Sequence, residues 1–392
     1  MKVLVSAFPK ASHFFPLVPL TWALRARGHS VRVASSPSLA QLVLGSGLPW
    51  VSCGEDVDTR ALWRGFDVLG GAGVDPAAHT RERRARAMTM FAAVGEAMTP
   101  DLLDYARHWS PDLVVHEPRA YAGLVAAEVL RVPLVRQLWG TDYTAGRWAE
   151  ESPFLSALLA SHGLDAAGVN PLGAVTVDPC PPSLRLPGTP GEAGAPIRRL
   201  PTAHVPYNGA GEVPAWLRVP PRRPRVCVTW GTSTRSAARG PAPVERIAAA
   251  LAGLDAELVL AVPTSRDLAP LPPGVRVAES MPLHLLLPSC AAVVHQGGAG
   301  TTLTASAAGV PQLIFPAVVD GDENARGVVA AGAGLRLDTA ALADGPLVAQ
   351  TVHILLSDAD FTRAAARLRQ EVQSLPSPAR TAQGLEALVA PA

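Results

Sequence analysis

The stretch His295-Gln296-Gly297-Gly298-Ala299-Gly300-Thr301-Thr302 lies between an apolar run, Ala291-Ala292-Val293-Val294, and a helix-like segment beginning Thr301-Thr302-Leu303. Strand, glycine turn and helix start together make a site for an anion. Glycines let the backbone approach closely, a helix N-terminus offers unpaired N–H groups and partial positive charge, and an imidazole and hydroxyls add side-chain donors. The expected ligand is a phosphate or diphosphate. Commoner glycine loops do not fit. No Lys-Ser/Thr pair follows the glycines, and lysine occurs only as Lys2 and Lys10, which excludes a nucleoside-triphosphatase loop. A dinucleotide fingerprint would follow the first strand of its domain, yet the turn after Val3-Leu4-Val5 reads Ala7-Phe8-Pro9-Lys10-Ala11-Ser12-His13, without glycine. The alternative for the loop is a purely structural strand-to-helix turn whose histidine acts as a cap.

Outward from this loop, strand-like and helix-like segments alternate, the signature of parallel βαβ units. Residues 2–7 read as a strand, 17–24 as a helix ending near Gly28, and 30–34 as a second strand. The pattern recurs with strands at 111–115 and 133–135 around a helix at 121–130. It collapses into proline-, glycine- and arginine-rich sequence over 179–224 and restarts with a strand at 225–229, a helix at 244–254 and a strand at 257–262. The expected fold class is α/β: two Rossmann-like, doubly wound domains facing across a cleft, with ligands beyond the carboxyl ends of the strands. The boundaries expected are an N-terminal, acceptor-binding domain over 1–205, a linker over 206–224, a nucleotide-binding domain over 225–375, and a C-terminal segment, 376–392, returning to the first domain.

Composition narrows the partners. A chain of 392 residues with 48% hydrophobic content fills two α/β cores, and a net charge of +1 gives no general attraction to nucleic acid or an anionic membrane. Small-molecule substrates are expected. Cys53, Cys180, Cys227 and Cys290 are scattered without C-x-x-C or zinc spacing and read as thiols of a reducing compartment. No signal-peptide pattern or membrane-length apolar run occurs, so a cytoplasmic protein is expected.

The chain resembles the two-Rossmann-domain glycosyltransferases that use nucleotide sugars, known as GT-B, family 1. Within them it is similar to the actinomycete enzymes that attach deoxysugars to antibiotic polyketides. His13-Phe14-Phe15-Pro16, Gly28-His29, Val205-Pro206-Tyr207-Asn208-Gly209, residues 294–316 and Asn324-Ala325-Arg326 carry the resemblance. It implies that His295, Gly297, Gly298, Ala299, Gly300 and Thr301 bind the donor diphosphate, whose charge grows as it departs from the anomeric carbon. It also implies that the backbone around Met281, Pro282 and Leu283 pairs with a pyrimidine, most often thymine, with His284 either beside the ribose or on the surface. Trp230, Gly231, Thr232 and Ser233 are expected to reach the phosphate or ribose from the opposite wall, the alternative being a purely structural turn. Asp320 and Gly321 match the sugar-hydroxyl site, where the family commonly has an acidic residue followed by Gln. Glycine in place of the amide removes a hydrogen-bonding partner and favours a deoxysugar over a fully hydroxylated hexose. The triplets Asp320-Gly321-Asp322 and Asp358-Ala359-Asp360 look like D-x-D metal motifs, but such triplets arise by chance; neither a metal nor a cofactor is expected beyond the TDP-sugar co-substrate.

An acceptor hydroxyl must lose its proton as it attacks, and imidazole suits that task. His13, in the loop beyond the first strand and in an H-x-x-P context matching the family's base, is the expected general base; its alternative is a structural cap. Glu117 ends a neighbouring strand at the same edge and is expected to orient His13. His116 and Asp142 compete for that role, and contact with the acceptor is the other reading of Glu117. A single base opposite the leaving group implies inversion. Residues 48–86 and 139–165 read as irregular, with Trp50, Trp63, Phe66, Tyr143, Trp148 and Phe154 available either to line a hydrophobic acceptor pocket or to fill the core. Arg81, Arg83, Arg84 and Arg86 read as a solvated helical face, the alternative being a surface that docks a membrane or an auxiliary protein. The expected partners are a TDP-deoxysugar, a hydrophobic natural product and a second copy in a homodimer, with neither nucleic acid nor membrane. Two alternatives keep the fold: a nucleotide-sugar 2-epimerase, against which the H-x-x-P loop argues, and a non-catalytic activator, which predicts loss of the loop or the base.

Overall fold

In the computed structural model, which describes residues 1–66, 75–185, 197–231, 243–266 and 268–389, the apolar runs form two parallel sheets. The first contains β1 (Lys2–Ser6), β2 (Ser30–Ser35), β3 (Trp50–Ser52), β4 (Leu113–His116), β5 (Leu134–Gln137), β6 (Val175–Asp178) and β7 (Arg199–Pro201), in the order β3-β2-β1-β4-β5-β6-β7. The second contains β8 (Arg225–Thr229), β9 (Glu257–Val262), β10 (Arg276–Glu279), β11 (Ala292–His295), β12 (Gln312–Ile314) and β13 (Gly334–Arg336), in the order β10-β9-β8-β11-β12-β13. Strands such as Leu113-Val114-Val115 and Val226-Cys227-Val228 read as continuous apolar runs because helices cover both faces of each sheet. In both, chain order reverses beside the first strand, between β1 and β4 and between β8 and β11. Such a reversal opens a crevice at the carboxyl ends, and both halves of the site stand there.

The longest helix, Pro76–Trp109, starts inside a stretch that reads as irregular from the sequence. The turns from Arg81 to Arg86 are dense in charge and mask the apolar repeat, which emerges only with Ala87, Met88, Ala92, Val94, Met98 and Leu102, all buried. Asp75 caps it by accepting from the N–H groups of Ala77 and Ala78. On the same helix Arg84 pairs with Glu150, and Arg86 pairs with Glu82 and lies over the Phe66 ring.

Residues 179–185, expected as part of a plain connection, place Cys180 and Leu184 in the same buried cluster as Leu303, Ile314, Ala325 and Val328 of the second domain. A Cβ on Gly327 would meet the Leu184 carbonyl oxygen at 2.5 Å, so glycine permits this close approach. The terminal helix Pro378–Glu386 lies against the helix Val18–Ala26, with Ala382 and Leu385 in the first domain's core. Arg27 holds Glu386 through two hydrogen bonds of 2.8 Å and His29 through one of 2.9 Å, and the Arg27 guanidinium pulls the Glu386 carboxyl down to about 2. No helix among the described residues is long and apolar enough to cross a membrane.

Candidate active site

His13 stands on a short helix, Ala11–Phe14, directly beyond β1, and Glu117 is the first residue past β4. The register Ser6 opposite His116 brings those two strand ends side by side. His13 Nδ1 lies 3.2 Å from Glu117 Oε2, an ion-pair distance, with an approach too oblique for a hydrogen bond. Glu117 is 1% exposed and is fixed by backbone: Oε1 accepts from the Phe8 N–H at 3.1 Å and Oε2 from the Arg119 N–H at 2.8 Å. Both Glu117 oxygens are thus engaged by backbone, and Oε2 also faces the imidazole. The competing residues are placed elsewhere. His116 is buried within the ladder, its pKa pushed down to about 4 by burial, and Asp142 is paired with Arg136 and Arg199.

Aromatic rings surround His13. Phe8 lies 5.0 Å, Trp139 4.9 Å and Phe91 6.0 Å from the imidazole, and Tyr143 follows Trp139 at 6.2 Å. Of the aromatics expected to line an acceptor pocket, Tyr143 alone belongs to this circle. Trp50 joins the core on the far side of the sheet, Trp148 donates to the Ala166 carbonyl, Trp63 and Phe66 pack on each other, and Phe154 is exposed. Phe8, in the turn after the first strand, and Phe91 were not singled out from the sequence.

Across the cleft, the helix Ala299–Ala308 starts beyond β11. The first residues of a helix have no intrahelical acceptor for their N–H groups, which leaves those of Gly300 and Thr301 available. A Cβ on Gly300 would meet nothing within 4 Å. His295 takes a different place from the one its sequence suggested. Its ring is fully buried; Nδ1 accepts from the Gly297 N–H at 3.1 Å, which leaves the proton on Nε2 for Gln312 Oε1 at 3.0 Å. Burial pushes its pKa down to about 4. Both nitrogens are therefore spent on shaping the turn rather than on a phosphate. The residue absent from the sequence argument is Gln296. Its Oε1 is buried with no partner among the described residues, and its Nε2 lies where a Cβ on Gly231 (2.3 Å) or on Gly298 (3.0 Å) would collide.

Gly231 holds φ +66° beyond β8, whereas Trp230 is 2% exposed and packs on Phe315 in the core, away from the cleft. Thr232 and Ser233 lie outside the described residues. Asp320 accepts from the Ala299 N–H at 3.2 Å and from Asn324 Nδ2 at 2.9 Å, and desolvation raises its pKa. Gly321 is buried against the loop: a Cβ there would meet the Gln296 carbonyl oxygen at 3.2 Å and Pro316 Cα at 3.3 Å. Packing thus supplies its own reason for this glycine, alongside sugar recognition. The other carboxylates of the two D-x-D triplets also have partners, Asp322 with Arg336, Asp358 with the Asp360 N–H and Asp360 with Arg363.

Met281 and Leu283 are partly buried against the second domain's core, and Pro282 lies close enough to Gly211 that a Cβ there would meet it at 2.4 Å. His284, on the short helix Leu283–Leu286, donates its backbone N–H to Asn208 Oδ1 at 3.0 Å, which ties it to the linker. Gly140 approaches the helix Ala299–Ala308 so closely that a Cβ would stand 2.6 Å from Ala299 Cβ, and Trp139, Tyr143 and Ala299 form one apolar cluster.

A buried carboxylate beside a partly exposed histidine thus stands one tryptophan away from the start of the helix Ala299–Ala308. The two halves match the N-terminal and C-terminal domain models described as erythromycin biosynthesis protein CIII-like, over residues 22–231 and 245–388. The chain belongs to this glycosyltransferase family. It is 37% identical to 10-deoxymethynolide desosaminyltransferase of Streptomyces venezuelae, over 100% of this chain and 97% of the relative. It is 36% identical to aklavinone 7-beta-L-rhodosaminyltransferase of Streptomyces galilaeus, over 100% and 96%. Among solved structures, spinosyn rhamnosyltransferase SpnG superposes with a TM-score of 0.83 at 34% identity, covering 98% of this chain and all of that one. SpnG has also been solved with thymidine diphosphate and with the spinosyn aglycone.

Proposed function

We propose that this protein is an inverting, cytoplasmic glycosyltransferase that moves a 6-deoxyhexose from thymidine diphosphate to a hydroxyl of a polyketide-like natural product in antibiotic biosynthesis. The observation that carries the reading is the bridge made by Trp139, which lies 4.9 Å from His13 and shares an apolar cluster with Ala299 at the phosphate helix. In this reading the base and the leaving-group site stand one side chain apart. His13, its Nδ1 turned to Glu117, takes the acceptor proton on Nε2, and Glu117 stabilises the imidazolium. As the acceptor oxygen bonds to the anomeric carbon, the carbon–phosphate oxygen bond breaks on the opposite face, which inverts that centre. The charge left on the diphosphate is met by the N–H groups of Gly300 and Thr301 and by the Gln296 amide, so this reading calls on no metal. The backbone around Met281 and Leu283 would hold thymine, and Asp320 with Gly321 would accept a sugar poor in hydroxyls.

The test is incubation with thymidine diphosphate deoxysugars and a panel of aglycones, with thymidine diphosphate release followed by mass spectrometry. His13→Ala is expected to lower transfer by about 10²–10⁴-fold while leaving thymidine diphosphate binding intact. Transfer at the wild-type rate would remove His13 from the chemistry.

A further inference from the structure

Arg119, between β4 and the helix Tyr121–Leu130, is a buried cation with 5% exposure two residues from the base pair. Nη1 donates to Glu151 Oε2 at 2.6 Å and to the Tyr121 hydroxyl at 2.7 Å, and Met88 Sδ lies 3.5 Å away. The guanidinium carbon lies 5.3 Å from the Phe91 ring and 5.7 Å from the Tyr143 ring. These contacts close a circuit of side chains: His13, Phe91, Arg119, Tyr143, Trp139 and back to His13. Arg119 Nε, in contrast, is buried with no acceptor among the described residues. A charged N–H sealed from water and left unpaired is costly, so an oxygen from outside the protein is the natural partner.

We propose that Arg119 Nε is the binding subsite for a neutral carbonyl oxygen of the acceptor, and that with its aromatic wall it selects planar hydroxyketones over ring systems lacking that oxygen. The group is neutral because Glu151 already balances the guanidinium, so that an arriving carboxylate would leave one buried negative charge uncompensated. It is planar because the rings of Phe91, Trp139 and Tyr143 offer faces and edges to a flat conjugated system. The inference rests on the transferase reading, since it assumes that the acceptor docks beside His13.

The experiment compares 2-hydroxyanthraquinone with 2-hydroxyanthracene, the same fused rings with and without carbonyl oxygens. Quenching of tryptophan fluorescence gives their affinities, because Trp139 stands in the circuit, and calorimetry gives thymidine diphosphate affinity for the same protein. Wild type should bind the quinone on the order of ten-fold more tightly. Arg119→Met should bring the two within about two-fold without weakening thymidine diphosphate. Arg119→Met combined with Glu151→Gln removes both members of the ion pair and guards against misfolding of the single variant. A ten-fold preference that persists in the double variant, equal affinities in wild type, or wild type that binds neither compound would each overturn the proposal. Loss of affinity for both compounds by the same factor would make Arg119 a structural residue only. Wild-type protein that fails to bind thymidine diphosphate would strike the transferase reading instead.

Discussion

Gly300→Ala separates binding from folding in one substitution. Gly300 is the second residue of the helix Ala299–Ala308, and a Cβ there meets no atom within 4 Å. Nothing among the described residues demands glycine at that position. Alanine in a helix is favoured over glycine by roughly 0.5–1 kcal/mol, so the variant should melt about 1–3 °C higher than wild type. The new methyl group occupies the space above the helix start, where a diphosphate oxygen would approach the N–H groups. Carbon and oxygen would have to separate by about 1 Å more than a hydrogen-bonded approach allows, and a misplacement of that size costs about 10²-fold. Differential scanning calorimetry should therefore show equal or higher stability, while titration with thymidine diphosphate shows a large loss of affinity. A variant that binds thymidine diphosphate as wild type does would refute the placement of the diphosphate at this helix start. A variant that melts well below wild type would show that the open space above Gly300 is occupied by protein.

Three further outcomes follow from the same geometry. Glu117→Gln should cost about 1–3 kcal/mol of stability, because an amide has one acceptor oxygen where the Phe8 and Arg119 N–H groups each need one, and kcat should fall by at least about 10²-fold; unchanged turnover would free His13 from Glu117. Gly140→Ala brings a Cβ to 2.6 Å from Ala299 Cβ, well inside carbon–carbon contact, so the loop and the phosphate helix must part. A shift of about 1 Å predicts a loss of up to about 10²-fold in kcat/KM for the donor, and wild-type kinetics would show that the two domains tolerate separation. Stability should fall as pH drops from 6.5 toward 4. His116 and His295 are held neutral with pKa values of about 4 against an ordinary 6.5, so across that window the unfolded chain binds protons that the fold refuses. The stabilisation is complete above 6.5 and is lost on acidification; a melting temperature flat over that range would contradict it.

The winding of both sheets was legible because parallel strands buried on both faces are continuous apolar runs separated by helical periods. The start of the helix Pro76–Trp109 was hidden by charge, and the docking of 179–185 into the second core by proline, which marks an irregular backbone without telling whether it is solvated. At the site, residue chemistry drew attention to the loop, but the structure engages both ring nitrogens of His295 within the protein, away from the phosphate role expected of it. The two halves of the molecule explain why. β4 and β11 occupy equivalent positions in their sheets, each ends in a histidine, and each histidine is the last residue in the ladder: His116 opposite Ser6 and Arg136, His295 opposite Ile314. A residue still in the ladder of a doubly covered sheet is enclosed by the neighbouring strands and helices, so both imidazoles are buried and held neutral. The next residue is the first one free of the ladder, and in the two halves these are Glu117 and Gln296. Glu117 faces His13, the proposed base, and Gln296 turns its amide between Gly231 and Gly298 at the proposed phosphate loop. The transferable signal is positional: where an apolar run ends in a polar pair at a switch point, the second member of the pair addresses the crevice. Gln296→Ala should accordingly weaken thymidine diphosphate binding without unfolding the loop, whereas His295→Ala should disturb the loop itself, because the Gly297 N–H and Gln312 would both lose their partner. Equal affinity in the first variant, measured by the same calorimetric titration, would return the diphosphate contact to His295.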